Sequence, residues 1–132
     1  MLVKRLPFSI PGRPLGDTVV LEIDLARGVL TTPPDNPLAA LRAMNAPTMR
    51  SLREGLRAGA TDDAVVGLFV HAGTVPLSIA QAEELGGAIA AFGEHKPTLA
   101  WSEGFGELDS DLAAYKLASF CQEIWLQPSG QL

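Results

Sequence analysis

The feature that most constrains the fold is an unbroken apolar run in the middle of the chain, Val65-Val66-Gly67-Leu68-Phe69-Val70. A run without polar side chains is typical of a strand buried on both faces, as in a parallel sheet. Ser78 can cap the helix that follows, in which apolar residues recur at helical spacing: Ile79, Ala82, Leu85, Ile89 and Phe92. Because parallel strands need a long crossover connection, this order predicts an α/β domain with a mostly parallel sheet.

The segments on either side fit the same architecture. Residues 19–25 alternate apolar and acidic side chains, which indicates a half-buried strand. Thr48 is a suitable N-cap for a helix that ends near Gly59. The apolar stripe of that helix is formed by Met49, Leu52 and Leu56. Residues 98–101 and 124–127 are expected to be strands with a helix between them, so the chain alternates strands and helices as in right-handed parallel crossovers.

The length bounds the chain to one domain, because 132 residues, of which 47% are hydrophobic, suffice for a single core. Residues 1–16 are rich in Pro and Gly and are predicted to form an irregular N-terminal arm.

No apolar run reaches the ~20 residues that a membrane-spanning helix needs. The N-terminus also lacks the apolar stretch of a signal peptide. The single cysteine, Cys121, excludes an internal disulfide and is expected to be a buried small hydrophobe.

The charge is distributed unevenly along the chain. Residues 1–60 hold eight basic and five acidic side chains, a net charge of +3, whereas residues 61–132 hold two basic and ten acidic side chains, a net charge of −8. The acidic half argues against a nucleic-acid partner. Arg50, Arg53 and Arg57 share one side of their predicted helix. This side is either simply solvated or contacts a partner or the anionic headgroups of a membrane.

The end of the chain carries a more specific pattern, Tyr115-Lys116-Leu117-Ala118-Ser119-Phe120-Cys121-Gln122-Glu123-Ile124-Trp125-Leu126-Gln127-Pro128-Ser129-Gly130. It resembles the Y-Y-x-A-S-x-A-x-x-I-x-x-x-P-x-G run of the bacterial signal peptide peptidases of the protease IV type, which are serine peptidases with a Ser/Lys dyad. Other segments that are similar in order and spacing lie at 48–56, 67–70, 77–85 and 96–100. The resemblance therefore covers residues 48–130.

The resemblance implies a crotonase-like (Clp-protease-like) fold of ββα units, with residues 17–132 forming a partial peptidase domain. Members of the family degrade cleaved signal peptides, need no cofactor or metal and assemble as oligomers at the bacterial membrane. A peptide substrate, a homo-oligomer and a membrane-associated location are therefore the expectations for this chain.

The catalytic residues of the family are only partly matched. Ala113 and Ala114 stand where the family has two glycines, and Leu112 stands where it has the nucleophilic serine. The family's lysine comes from a segment beyond the Pro-x-Gly, so Lys116 does not correspond to it. Gly73 lies near the position of a glycine that donates to the oxyanion, although His71-Ala72-Gly73-Thr74-Val75-Pro76 departs from the family's S-P-G-G. The resemblance thus implies an N-terminal, non-nucleophilic part of a serine endopeptidase that is inactive alone.

Other functions stay open at this stage. A stand-alone scaffold or peptide-binding module of the same fold is the main alternative, and an acyl-CoA-handling relative of the crotonases is a third. Ser102 or Ser110 could be combined with His71 or His95 and Asp109 in a triad, but no G-x-S-x-G elbow is present. The acidic residues between 103 and 111 do not have the spacing of a calcium loop and are expected to be solvated.

Overall fold

The computed structural model describes residues 2–5, 18–25, 47–72, 77–105 and 111–130. Apart from the strand at residues 2–5, these residues form strands and helices in the order that the sequence predicts. The elements are β1 (Leu2–Arg5), β2 (Val19–Asp24), α1 (Met49–Thr61), β3 (Val65–His71), α2 (Ile79–Gly93), β4 (Thr98–Ser102), α3 (Asp111–Ala118) and β5 (Glu123–Leu126). The predicted α/β class with a mostly parallel sheet is confirmed.

The strands lie side by side in the same order as in the chain, β1-β2-β3-β4-β5. β1 is antiparallel to β2, and the pairs β2–β3, β3–β4 and β4–β5 are parallel. When consecutive parallel strands are always added on the same side, right-handed crossovers place every connecting helix on the same face of the sheet. Helices α1, α2 and α3 accordingly pack against one another in sequence and cover a single face.

The covered face carries the aliphatic core. Leu21 of β2 is in register with Leu68 of β3. Ile23 of β2 is in register with Val70 of β3, which in turn is in register with Ala100 of β4. All of these side chains are buried. Period-two alternation explains the arrangement, since every second residue of a strand points toward the helices. The half-buried strand predicted at residues 19–25 is therefore confirmed, with its apolar side chains on the helix side.

Helix α1 begins where the sequence indicates. The Thr48 hydroxyl accepts from the Ser51 backbone N–H at 3.1 Å, and the Ser51 hydroxyl accepts from the Thr48 N–H at 3.1 Å, which forms a capping box. The prediction that Gly59 ends the helix is wrong, because α1 continues to Thr61. Gly59 is needed for packing instead, since a Cβ there would lie 2.5 Å from the Leu21 side chain.

Helix α2 has the same type of start. Ser78 accepts from the backbone N–H of Gln81 at 3.1 Å, and the Gln81 side chain accepts from the Ser78 N–H at 2.9 Å. Most of the predicted apolar stripe is buried, but Ile79 at the first helical position is exposed. Gly86 faces the turn that follows α3, and a Cβ at this position would collide with the Phe120 ring. The close approach of α2 and α3 therefore depends on a glycine.

Two predictions from the sequence are corrected by the sheet. Residues 2–5, which were expected to belong to an irregular arm, pair with β2, whereas residues 6–17 lie outside the described part of the chain. β3 was expected to be buried on both faces, but Val66, Phe69 and His71 are only half-buried. The three helices formed by the described residues cover the other face, so none of these three packs on the second face of β3.

Candidate functional site

Leu112, which the resemblance aligns with a nucleophilic serine, lies on the surface. Leu112 occupies the first turn of α3, and 69% of it is exposed. The next two residues, Ala113 and Ala114, are buried against the core. Tyr115 is partly exposed and packs edge-on against Phe105, with ring centroids 5.4 Å apart. A leucine side chain offers neither a nucleophile nor a proton donor, so Leu112 can contribute only apolar contact.

Lys116 takes part in packing between helices. Its Nζ lies 2.5 Å from Oε1 of Glu83 on α2. The pair is partly exposed and joins α3 to α2 on the outer surface. Lys116 is therefore a partly exposed helix residue that is paired with a carboxylate. Gly73, the candidate oxyanion donor, lies outside the described residues, so its role stays a prediction.

The three arginines of α1 lie on its solvent-exposed side, as predicted. Arg50 Nε lies 3.0 Å from Oε1 of Glu54 on the same helix, and Arg53 Nη1 lies 2.8 Å from Oε1 of Glu84 on α2. They border a shallow groove of about 940 Å³ between the two helices, which Arg57 also lines. Because two of the arginines already have carboxylate partners, the groove is mixed in charge rather than uniformly basic.

Ser102 and His71 are not brought together as the imagined serine triad requires. Ser102 is buried on the helix side of β4, where its hydroxyl donates to the carbonyl of Gly104 at 2.9 Å. His71 is in register with Trp101, the neighbour of Ser102 in β4, and therefore lies on the opposite face. Ser110 and Asp109 lie outside the described residues. Ser102 is thus a structural residue that fixes the bend after β4.

The remaining sequence predictions concern a metal, a membrane span and the thiol. In the described parts of the chain, no group of three or more His, Cys, Asp or Glu side chains is placed to hold a metal ion. None of the helices formed by those residues is both long and apolar enough to cross a bilayer.

Cys121 is buried, and this burial raises the pKa of its thiol to about 11, while a hydrogen bond with Thr98 acts in the opposite direction. The expected burial of Cys121 is confirmed.

A cluster that the sequence did not single out lies at the carboxyl end of the strands, on the open face. The His71 Nδ1 lies 3.6 Å from Oδ1 of Asp24, and its Nε2 lies 3.9 Å from Oε2 of Glu103. The imidazole also packs on Trp101 with ring centroids 4.8 Å apart. Trp125 follows Trp101 in the same row of the sheet. Parallel sheets commonly bind ligands at the carboxyl ends of their strands, so this cluster is a candidate site.

A second row of side chains extends the cluster toward the amino ends of the strands. Glu22, Phe69, Leu99 and Glu123 are in register across four strands. They line a shallow pocket of about 590 Å³ on the open face. The sequence signal for this surface was the alternation in β2, where Glu22 and Asp24 are the residues that point away from the core. Only the strand order shows that aromatic residues of β4 and β5 join them.

Comparisons with known proteins do not place the chain in a family: no family model matches it, and no curated protein matches it. The resemblance to the protease IV type of signal peptide peptidase therefore depends on the residues quoted for it. Those residues now have positions in α3, which packs on the covered face, and in β5, which is the last strand of the sheet.

Proposed function

We propose that this chain is the non-nucleophilic part of a Ser/Lys peptidase of the protease IV type, with a crotonase-like fold. The observation that carries the proposal is the arrangement at the end of the chain, where α3 starts at the position of the family's nucleophile and leads through β5 to Pro128 and Gly130. The parallel strand order and the three one-sided helices are compatible with a fold of ββα units. The substrates would be cleaved signal peptides.

In such an enzyme the reaction is acyl transfer from the peptide to a serine, followed by hydrolysis of the acyl-enzyme. A lysine can deprotonate the serine only if burial keeps its amine neutral. Leu112 cannot replace the serine, and Lys116 is paired with Glu83 at the surface. This chain would therefore shape the substrate groove and the interface between units, while the lysine would come from a segment beyond the Pro-x-Gly and the serine from a second unit.

Hydrolysis of a fluorogenic apolar peptide tests this proposal. The purified chain alone should show no hydrolysis, and activity should appear when it is mixed with a downstream segment from the same locus that carries the lysine and the serine. A matched control uses that downstream segment with its serine changed to Ala. Robust hydrolysis by this chain alone would refute the proposal, and single Ser→Ala variants at Ser102, Ser110 and Ser119 would then locate the nucleophile.

The second candidate function is a stand-alone scaffold or peptide-binding module. The specific observation in its favour is the open face of the sheet, with Trp125 58% exposed beside the carboxylate of Glu123. A module of this kind binds peptide without needing a second unit. Binding of peptide by this chain, with no hydrolysis under any combination of units, would favour this function over the first.

Membrane association and self-association are further parts of the first proposal. If Arg50, Arg53 and Arg57 contact lipid headgroups, the chain should sediment with vesicles that contain anionic lipid but not with neutral vesicles. Replacing all three with Ala and raising the salt concentration should both weaken this binding. Binding that is independent of salt would contradict the assignment. Sedimentation velocity over a range of concentrations tests whether the chain forms a homo-oligomer.

A further inference from the structure

The sheet has an edge at β5. The strand order places β5 last, and in the described part of the chain the strand that pairs with it is β4. The same order makes α3 the last helix of its layer, where it packs against α2. An edge strand presents a row of backbone N–H and C=O groups to a further strand. We call this end of the molecule, formed by residues 123–126 and by α3, the β5 edge.

Large apolar side chains are exposed on both sides of the β5 edge. Ile124 belongs to the covered face of the sheet and Trp125 to the open face, and both are exposed. Leu112 and Tyr115 of α3 are exposed as well. Of the large hydrophobic residues that are exposed in the described ranges, Ile79 alone lies elsewhere. Apolar groups that cluster at one exposed place mark an interaction site.

The hydrogen bonds to β4 show which backbone groups of β5 point outward. The N–H of Gln127 donates to the carbonyl of Ser102 at 3.0 Å. Successive residues of a strand direct their backbone groups to opposite sides, so Trp125 also faces β4, whereas Ile124 and Leu126 face outward. The outer row of β5 therefore consists of the backbone groups of these last two residues.

We propose that the β5 edge pairs with the β5 edge of a second copy of the chain, antiparallel and about a two-fold axis. Such an interface uses the same surface on both copies. It joins the two five-stranded sheets into one continuous sheet and keeps the helices of both copies on the same side. The inference does not depend on the peptidase proposal, because it needs only the edge strand and its neighbouring helix.

The backbone directions and the symmetry together define the register. Two residues form a hydrogen-bonded antiparallel pair only if both direct their backbone groups toward the partner strand. Pairing of Ile124 with Leu126 of the second copy, and of Leu126 with Ile124, meets this condition. The two-fold axis then passes between the two copies of Trp125, which form a pair without backbone hydrogen bonds.

Moving the axis by one residue in either direction removes backbone hydrogen bonds. An axis at Ile124 would pair Leu126 with Gln122, whose N–H already donates to the Thr98 hydroxyl at 2.9 Å. An axis at Leu126 would pair Ile124 with Pro128, which has no N–H. The central register is therefore the one in which every outward backbone group of β5 has a partner.

The side chains agree with the central register. Directly opposed residues lie on the same face, so Ile124 meets Leu126 of the second copy on the covered face, and the two Trp125 indoles meet on the open face. Glu123 is then opposite the amide of Gln127, whereas a second carboxylate directly opposite would be destabilising. The register also leaves the Glu123 carboxylate its hydrogen bond from the Trp125 indole at 3.0 Å.

The length of β5 sets the strength of the association. The strand has 4 residues, so the interface belongs to the small class, which buries less than about 1,200 Å² in total. Interfaces of this size form weak complexes. Dilute samples should therefore contain the monomer, in which Trp125 is accessible, and the dimer should appear as the concentration rises.

A cysteine at the two-fold axis tests the register in the full chain. Opposed residues of a pair without hydrogen bonds have Cα atoms about 4.5 Å apart, which a disulfide can bridge. Trp125→Cys should therefore give a disulfide-linked dimer on mild oxidation, visible on a non-reducing gel. Glu123→Cys is the matched control, because residue 123 is exposed on the same strand and face but lies far from its own copy. It should crosslink roughly tenfold more slowly.

A proline at an outward position tests the pairing itself by sedimentation velocity over a range of concentrations. Ile124→Pro removes an outward N–H from each copy and leaves those that bond to β4, so the dissociation constant of the dimer should rise roughly tenfold. Ile79→Pro is the matched control, since it makes the same change to an exposed isoleucine at the first position of α2, where proline is accepted. It should dimerise as the unchanged chain does.

Circular dichroism should show that both proline variants are folded. A chain that stays monomeric at every concentration would overturn the proposal. Equal rates of crosslinking at residues 123 and 125, or equal dissociation constants of the two proline variants, would overturn it as well, because the contact would then lie elsewhere.

Discussion

The two faces of the sheet differ in kind although the same strands build both. The covered face is aliphatic, and its central residues Ile23 and Val70 are at most 1% exposed. The open face carries aromatic rings and carboxylates, and its residues are half-buried or exposed. The difference teaches that the strand order, rather than the composition of any single strand, decides which face becomes the core. A parallel sheet with consecutive strand order closes only one of its faces with its own crossovers.

The largest expected effect is the difference in the free energy of unfolding between a substitution on the covered face and one on the open face. Ile23→Ala should lower the free energy of unfolding by about 2–4 kcal/mol, because it removes methylene groups from a packed core and leaves a cavity. Trp125→Ala should lower it by less than about 1 kcal/mol, because the larger part of the Trp125 side chain is already in water. Urea unfolding followed by circular dichroism measures both values.

The open face would have to be reinterpreted if Trp125→Ala destabilised the chain as much as Ile23→Ala does. That result would mean that the indole is part of a core that covers the second face. As a control, far-UV circular dichroism in the absence of urea should show that both variants are folded before unfolding begins.

The next effect concerns the helices that close the covered face. Gly86→Ala should lower the free energy of unfolding by about 1–2 kcal/mol, because the new Cβ would collide with the Phe120 ring where α2 meets α3. Gly87→Ala is the matched control, since a Cβ there meets no atom within 4 Å and the residue is exposed. It should raise the free energy of unfolding by about 0.5–1 kcal/mol through helix propensity. Thermal unfolding of both variants checks the prediction, and equal shifts would contradict the close approach of the two helices.

The last effect on stability concerns the thiol on the covered side and is absent at neutral pH. Burial raises the pKa of Cys121 from 9.0 to about 11, so the folded state favours the protonated thiol. The corresponding stability should be fully present below pH 9 and should fall as the pH rises from 9 toward 11, because only the unfolded chain then ionises readily. At pH 8 the folded thiol should react with a disulfide reagent about a hundredfold more slowly than an ordinary thiol. An equally fast reaction before and after unfolding in urea would contradict the burial of Cys121.

Local structure could be predicted well from the sequence where local rules decide it. Thr48 and Ser78 were expected to cap helices, and both do so through capping boxes. Gly59 was predicted wrongly, because a glycine that ends a helix and a glycine that admits a neighbouring side chain have the same sequence signal. Only the position of Leu21 against α1 tells the two apart.

The open-face cluster could not be predicted from the sequence, because its members are far apart in the chain. Asp24, His71 and Glu103 come from the ends of three different strands, and the strand order is what brings them together. The site residues taken from the family resemblance had a different outcome. Leu112 has a defined place on the surface, whereas Gly73 remains a prediction.

The most direct test of the one-sided sheet is hydroxyl-radical footprinting of the native chain, with each modified residue identified by mass spectrometry. Trp125 and Phe69 on the open face should be oxidised readily, while Phe92, which is buried beneath the helices, should be modified far more slowly. This result would establish that the second face is accessible for binding. Protection of Trp125 and Phe69 to the level of Phe92 would show that the face is already covered, and would contradict the account.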